Sequence, residues 1–321
     1  MRIGIVGGGL AAQAHRDRLE AIPGVTIVGC ADPDPEVGRA LADGSQAPGF
    51  LDQADLIRRA SPDALAIFTP HPSHYRLAMD ALQAGCHVFI EKPLSTNVQE
   101  AVDIVGLARG RGRIVGVGHQ FRLLPSVIRA REILAEGVIG PVRLVTATMS
   151  LPWLEGHQGQ EHSWRFAPKS VGGGMLSDAG VQLLDVVLWT TGLAAVEASA
   201  VQWRHGASAD LVTASAVRLA DGTPATFAIS GVGPGAWFEW NYFGEKGRIR
   251  VTESSIDELS GLHPGLVAPL SSPARNIDED FVEALATGSD PCCPADQALD
   301  TVRLLEAISR SATIGEVVGL V

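Results

Sequence analysis

Cysteine is scarce in this 321-residue chain, and the four present, Cys30, Cys86, Cys292 and Cys293, form no C-x-x-C pair and no zinc spacing. A disulfide scaffold and a structural zinc site are therefore not expected. No His/Cys/Asp cluster has metal-ligand spacing either, so no metal is expected. Positive charge is short: 25 Lys and Arg stand against 36 Asp and Glu, a net charge of −11. That balance argues against nucleic acid or an anionic membrane as partner. No apolar run is long enough to span a bilayer, and Met1 leads into a strand with no basic or apolar leader segment. The expected setting is soluble, reducing and cytoplasmic. Internal repeats and low-complexity segments are missing too. What remains is an ordinary globular composition, 46% hydrophobic and 19% charged, long enough for one large domain or two.

What is present is concentrated in the first twelve residues. Residues 2–6 are a short apolar run of strand formers, and Gly7-Gly8-Gly9-Leu10-Ala11-Ala12 follows as G-x-G-x-x-A. Gly7 permits a tight turn, Gly9 lets backbone approach a pyrophosphate, and Ala12 lets the next helix pack close to the strand. That helix presents free N–H groups and a partial positive charge to phosphate. It is expected over 10–22 and ends at Pro23-Gly24. A strand over 25–30 then delivers Asp32, 23 positions after Gly9, where a ribose-binding carboxylate belongs. Residues 31–35 hold no Arg, Lys or Ser to meet a 2′-phosphate, so NAD is expected in preference to NADP.

Strand and helix signals alternate as far as Gly118, with strands expected over 64–69, 87–91 and 114–118 and helices over 35–42, 52–60, 74–84 and from Thr96 to about 111. The Thr96-x-x-Gln99 pattern has capping-box form. Such alternation means a parallel, doubly wound sheet, a Rossmann fold. Beyond Gly118 the rhythm changes. Helices are expected over 125–136 and 176–191, and a loop over 151–174. Strands over 142–150, 196–203, 211–219, 225–230, 237–243 and 248–251 follow without helices between most of them, with Asp221-Gly222 as a hairpin turn. The fold class is α/β: an N-terminal Rossmann domain over 1–120, then an α+β domain over 121–321 with a mostly antiparallel sheet. Two helices, over 277–286 and 294–311, finish the chain.

Two further segments sit at the carboxyl ends of the expected parallel strands, the edge where such sheets bind ligands: Thr69-Pro70 through His74, and Glu91-Lys92-Pro93. A lysine buried at a strand end is costly unless it has a task. In the second half, Asp178, Gln182 and Asp185 fall at i, i+4 and i+7 of an apolar helix, and so on one face. Gly172, Gly173 and Gly174 before it suggest close backbone packing at a ligand site.

These segments resemble the Gfo/Idh/MocA family, over nearly the whole chain. The likeness runs through the fingerprint with His15, the Thr69-Pro70 turn with His74, residues 84–93 ending in Glu-Lys-Pro, Gln120-Phe121-Arg122, residues 136–140, Trp164-Arg165, and the glycine-rich helix to Asp185. It implies NAD or NADP as cofactor and hydride transfer at a hydroxyl carbon of a sugar, cyclitol or related polyol. It implies a cofactor site from Gly7, Gly9, Leu10, Ala11, Asp32, Thr69, Pro70, His74, Glu91, Lys92, Gln120, Trp164 and Arg165. Lys92 matches the lysine that hydrogen-bonds the reacting oxygen, and its peptide bond to Pro93 is expected to be cis. Asp178 and Asp185 match the outer acids of D-x-x-x-H-x-x-D, while the family histidine falls on Gln182. Lys92, Asp178 and Gln182 are thus the catalytic candidates, with His162 beside them as a substrate contact and His162 or His157 as a competing base. The resemblance leaves one rival open, an NAD-dependent glycoside hydrolase or lyase, which the family also contains; an amide takes up no proton at neutral pH, which leaves open a second, a non-catalytic sugar or nucleotide sensor. The resemblance also implies a homodimer or homotetramer through the second sheet, whose outer face Val201, Trp203, Val217 and Phe227 would make apolar.

Overall fold

In the computed structural model, which describes residues 1–158, 164–166, 173–204, 208–260 and 275–320, β1 (Arg2–Val6) lies at the centre of a parallel sheet. Around it run α1 (Leu10–Glu20), β2 (Thr26–Ala31), α2 (Pro35–Ser45), β3 (Gly49–Phe50), α3 (Gln53–Ala60), β4 (Ala64–Ile67), α4 (His74–Gln83), β5 (His87–Ile90), α5 (Val98–Arg111) and β6 (Val115–Val117). The order β3-β2-β1-β4-β5-β6 reverses direction between β1 and β4. β4 is buried at every position, the mark of a parallel strand covered by helices on both faces. The switch in strand order falls where Val6 hands over to Gly7, and that is where ligands bind in such sheets.

The chain groups into two units, Met1–His119 with Arg275–Leu299 and Gln120–Ala274 with Asp300–Val321. The sequence reading divides the chain once, after residue 120. Residues 275–299, which the sequence reading leaves in the second domain, group with the first. Their helix α9 (Ile277–Thr287) sets Phe281 against Phe89, ring centroids 5.5 Å apart. A Cβ on Gly116 would come within 2.9 Å of the Phe281 ring. Val117 N–H donates to the Cys293 carbonyl at 2.9 Å, so this returning segment pairs with the edge strand.

The second unit begins with a single turn at Gln120–Leu123, followed by α6 (Pro125–Ala135), β7 (Val142–Ser150) and the short α7 (Trp153–Gly156). A π-turn, Leu176–Gly180, leads into α8 (Val181–Thr191). Then come β8 (Ala195–Trp203), β9 (Val212–Leu219), β10 (Pro224–Ser230), β11 (Trp237–Gly244), β12 (Arg248–Thr252) and β13 (Ile256–Ser260). α10 (Ala295–Ile314) and β14 (Val318–Gly319) close the chain. The eight strands run β13-β12-β11-β7-β10-β9-β8-β14, antiparallel except for β7 against β10. The core on the inner face joins Met149, Val217, Phe227, Trp240 and Tyr242 to Leu183, Leu184 and Val187 of α8.

Several expectations need correction. Val217 and Phe227 are buried in that core, because β9 and β10 alternate in the opposite phase to the expected one. The outer face carries Ala214, Ala216, Thr226 and Ala228, with Val201 70% and Trp203 47% exposed. The cap of α5 is Asn97, not Thr96: its side chain accepts from Glu100 N–H at 3.0 Å. The two- and five-residue strands β3, β13 and β14 carry too little pattern to be read. The loop expected over 151–174 holds α7 and a turn at Trp164–Phe166.

Candidate functional site

In the first unit the nucleotide fingerprint is built on backbone that only small residues allow. Gly7 has φ +92°, and a Cβ there would lie 2.7 Å from the Phe68 carbonyl oxygen. The crowded position is Gly8, to which the sequence reading gave no role: a Cβ there would come within 2.4 Å of the Val37 side chain. Gly9, the N-cap of α1, meets nothing within 4 Å, so a Cβ at that position would enter open space. No side chain caps this helix, and Leu10 is 85% exposed. Ala12 is fully buried, as its packing role requires. The end of α1 is thus an uncapped helix N-terminus facing open space, which fits a pyrophosphate.

Asp32 closes the far side. Its Oδ2 accepts from Gly8 N–H at 2.8 Å and its Oδ1 from Asp34 N–H at 2.9 Å. The carboxylate is thereby fixed at the end of β2. Each oxygen keeps further acceptor capacity for a hydroxyl.

At the ends of β4 and β5 the structure links the two turns named from sequence. His74 is fully buried, with Nδ1 2.8 Å from the Pro93 carbonyl and Nε2 2.9 Å from the Thr69 carbonyl. Burial pushes its pKa below the ordinary value, and a neutral ring donates to one of these oxygens. His74 therefore sits behind the Thr69 and Pro93 turns and away from open space. The Lys92-Pro93 peptide is cis. Lys92 is half-buried, not fully enclosed as a strand-end lysine was expected to be. Glu91 turns inward: its Oε1 accepts from His15 Nε2 at 3.1 Å, and a Cβ on Gly118 would crowd that oxygen at 2.8 Å.

The second unit holds the other candidates. Gly174 has φ +101°, and a Cβ there would come within 2.0 Å of Asp210 Oδ1. Asp210 in turn accepts from Met175 N–H on its carbonyl and from Leu176 N–H on Oδ2, both at 2.9 Å. Asp210 thus anchors the start of the π-turn, and burial pushes its carboxyl pKa up. The sequence reading missed it, because nothing local joins it to a helix 34 residues earlier.

Within that π-turn, Asp178 Oδ2 accepts from Trp153 Nε1–H at 2.7 Å and from Arg165 Nε–H at 3.2 Å. Arg165 also stacks over Trp164, 4.5 Å from its centroid. Gln182 and Asp185 look elsewhere, toward the turn at Gln120–Leu123. Gln182 Nε2 donates to Gln120 Oε1 at 2.6 Å. Arg122 grips Asp185 with two bonds of 2.8 Å, and Thr301 Oγ1–H adds a third at 2.9 Å. The i, i+4, i+7 face is thus divided between two sets of partners, with a wider π-turn at its first member. Asp185 is wholly buried and satisfied, as an anchoring role demands. His157 Nδ1 donates to the Trp153 carbonyl at 2.7 Å, which leaves Nε2 as its acceptor. His162 lies outside the described residues.

Residues 1–119 match the GFO_IDH_MocA model, an oxidoreductase family with an NAD-binding Rossmann fold, and residues 127–250 match the GFO/IDH/MocA C-terminal domain. The chain belongs to this family. As a GFO/IDH/MocA protein it is an oxidoreductase of an NAD-binding lineage. It is 29% identical to UDP-N-acetylglucosamine 3-dehydrogenase of Acidithiobacillus ferrooxidans, over 72% of this chain and 67% of that one. It is 30% identical to inositol 2-dehydrogenase 1 of Saccharopolyspora erythraea, over 69% of this chain and 61% of that one. In fold it is similar to the WlbA dehydrogenase of Bordetella pertussis, solved with NADH and UDP-GlcNAcA. The TM-score is 0.89 and the identity 22%, over 100% of this chain and 99% of that one. No helix among the described residues is long and apolar enough to cross a membrane.

Proposed function

We propose that this protein is an NAD-dependent dehydrogenase or reductase acting at a hydroxyl carbon of a sugar, cyclitol or related polyol. The observation that carries the reading is the Asp32 carboxylate, pinned by Gly8 N–H beside an uncapped α1 N-terminus. These residues, with Leu10, Ala11, Thr69 and Pro70, would hold the dinucleotide. When bound, it supplies the hydride acceptor or donor. Asp32 favours NAD over NADP, since its charge opposes a 2′-phosphate.

Lys92 Nζ meets the substrate oxygen, takes the hydroxyl proton during oxidation and stabilises the alkoxide charge that develops. Asp178, held by Trp153 and Arg165, orients hydroxyl groups as an acceptor. Gln182 contributes an amide and moves no proton. Relatives named as sugar and inositol dehydrogenases support this substrate class. A homo-oligomer through the outer face of the second sheet is part of the reading, supported by exposed Val201 and Trp203 on a face otherwise paved with small residues. So is a reducing, cytoplasmic setting, in keeping with four free cysteines.

The test is twofold. Calorimetric titration should show NAD bound more tightly than NADP, and a panel of inositols, aldoses and nucleotide sugars should yield NADH with at least one member. NAD binding without turnover across the whole panel would favour the sensor reading. Free sugar released from a glycoside without net NADH would favour the hydrolase or lyase reading.

A further inference from the structure

Three segments of the second unit carry Asp178 and its partners: the π-turn itself, α7 with Trp153, and the single turn with Arg165. They are tied to one place, the Asp210-Leu211 step just ahead of β9. Asp210 is 1% exposed. Its Oδ2 accepts from Leu176 N–H at 2.9 Å and from Thr213 Oγ1–H at 3.3 Å, and its carbonyl accepts from Met175 N–H at 2.9 Å. The π-turn has no capping side chain at its own start, so two successive N–H groups there are satisfied from a strand. Leu211 extends the link. Its carbonyl accepts from Gly231 N–H at 2.7 Å, and the Gly231 carbonyl accepts from Leu154 N–H at 2.8 Å, beside Trp153. A Cβ on Gly231 would stand 3.2 Å from the Leu211 oxygen, 3.2 Å from Met175 Cγ and 3.3 Å from Trp153 Cβ, so these segments meet closely. On the other side, Gly174 N–H donates to the Arg165 carbonyl at 2.8 Å, and the Gly174 carbonyl accepts from Asp178 N–H at 3.0 Å.

We infer that Asp210 is a positioning residue for Asp178: it fixes the backbone that carries this carboxylate and, through Leu211 and Gly231, the helix that brings the Trp153 indole to it. Asp178 Oδ2 takes donors from two separate segments, Trp153 Nε1–H and Arg165 Nε–H. Its place therefore depends on the spacing of three segments and not on its own helix alone. Leu176 is fully buried, so without the Asp210 acceptor its N–H would be left unpaired away from water. The turn could relieve that loss only by shifting or rewinding, and either change carries Asp178, two residues on, with it. A displacement of about 1 Å is enough to spoil the orientation of a reacting group. The inference rests on the substrate-orienting role proposed for Asp178, and its experiment separates the two.

The chain has six tryptophans, and NMR of their indole N–H groups in the full-length protein gives the readout, with Trp153 identified by Trp153→Phe. A hydrogen bond to a carboxylate moves such a resonance downfield, so in Asp210→Ala the Trp153 signal should move upfield. That variant should lose about ten- to a hundredfold in kcat/KM for the best polyol, with NAD affinity within about twofold of the parent. Asp210→Asn keeps an oxygen that can accept from Leu176 N–H and should retain the parent resonance and most of the activity. Tyr242→Phe removes a buried hydrogen bond to Thr190 on α8 and should lower the melting temperature while leaving the Trp153 resonance in place. Because Asp210→Ala removes a buried acceptor, hydrogen exchange in the unaltered protein gives a second reading. The Met175 and Leu176 amides and the Trp153 indole should exchange together, released by one opening. An unshifted Trp153 resonance in a folded Asp210→Ala, an equal shift in Asp210→Asn or Tyr242→Phe, or an indole that exchanges while Leu176 N–H stays protected would overturn the inference. Resonances and exchange as expected, with no NADH from any polyol, would leave Asp210 in place and sink the dehydrogenase reading instead.

Discussion

Gln182 Nε2 donates to Gln120 Oε1 across 2.6 Å, so the position that the resemblance assigns to a histidine holds half of an amide pair that carries no titratable proton. Gln182→His tests what that exchange does. If the amide is a tuned substrate contact, the histidine lowers NADH formation with the best substrate, by about tenfold for one misplaced hydrogen bond. An increase on ordinary polyols would instead mark the parent as a specialised or weakened catalyst. The measurement is kcat/KM across the same panel for both proteins.

Lys92→Ala should cut kcat by about a hundred- to a thousandfold, the usual loss when one group that meets a developing oxyanion is removed. NAD affinity should change little. His157→Ala should cost much less, because its Nδ1 is already committed to the Trp153 carbonyl. Equal losses in the two variants would move the proton-handling role to the histidine.

Asp32→Ala removes the acceptor of Gly8 N–H and, with it, the acceptor proposed for ribose. NAD affinity should fall about tenfold or more, since hydrogen bonds to a charged group contribute roughly 1.5–3 kcal/mol. NADP affinity should rise relative to NAD, as the charge facing the 2′-position is gone. Titration of both dinucleotides against both proteins measures the ratio.

The His15 pair should leave a signature in stability against pH. Burial opposes charge on His15, but its hydrogen bonds with Asp278, at 2.6 Å, and then Glu91 raise its pKa above 6.5, so its contribution is complete below 6.5 and is lost as pH climbs through the folded value. The Glu91 pKa is held below 4.5 despite burial, chiefly by the hydrogen bond from His15, so its contribution is complete above 4.5 and is lost as pH falls through the folded value. The melting-temperature difference between the parent and His15→Gln should therefore be greatest between pH 4.5 and 6.5 and shrink toward alkaline pH. A difference on the order of 3 kcal/mol is expected for breaking a buried pair. A difference independent of pH would mean that His15 acts by packing alone.

Val201→Asp with Trp203→Asp places two charges on the outer sheet face without touching the inner core. Light scattering at micromolar concentration should show an oligomer for the parent and monomer for the variant, with NAD binding retained. A monomeric parent would remove this part of the reading.

What could be read in advance was what the chain encodes locally. The strands β1, β4 and β5 announce themselves as continuous apolar runs, and Gly7, Asp32 and Lys92 follow from their place at strand ends. What could not be read was set by partners far along the chain. The partner of His15 could not be read because Asp278 lies 263 residues away. Asp210 draws no notice in the sequence because the helix start it anchors lies 34 residues before it. Val217 and Phe227 were assigned to the wrong face because a strand's alternation has two phases, and neighbouring strands decide between them. Asp178, Gln182 and Asp185 have helical spacing, but spacing alone does not reveal a π-turn.

The return of residues 275–299 to the first unit has a consequence for how the molecule comes into being on the ribosome. The first 119 residues emerge with all six strands of their sheet, yet without Phe281 over Gly116 and without Asp278 for His15. At roughly 5–20 residues per second, the missing helix follows on the order of ten to thirty seconds later. During that interval the edge at Val117 waits for Cys293, and the fingerprint helix holds His15 without its stronger partner. The nucleotide-binding half is therefore not a module that can be cut at residue 119 and transplanted. A working graft would have to carry α9 with it, and nascent chains stalled before residue 275 should be more open to proteolysis along β6 than the finished protein.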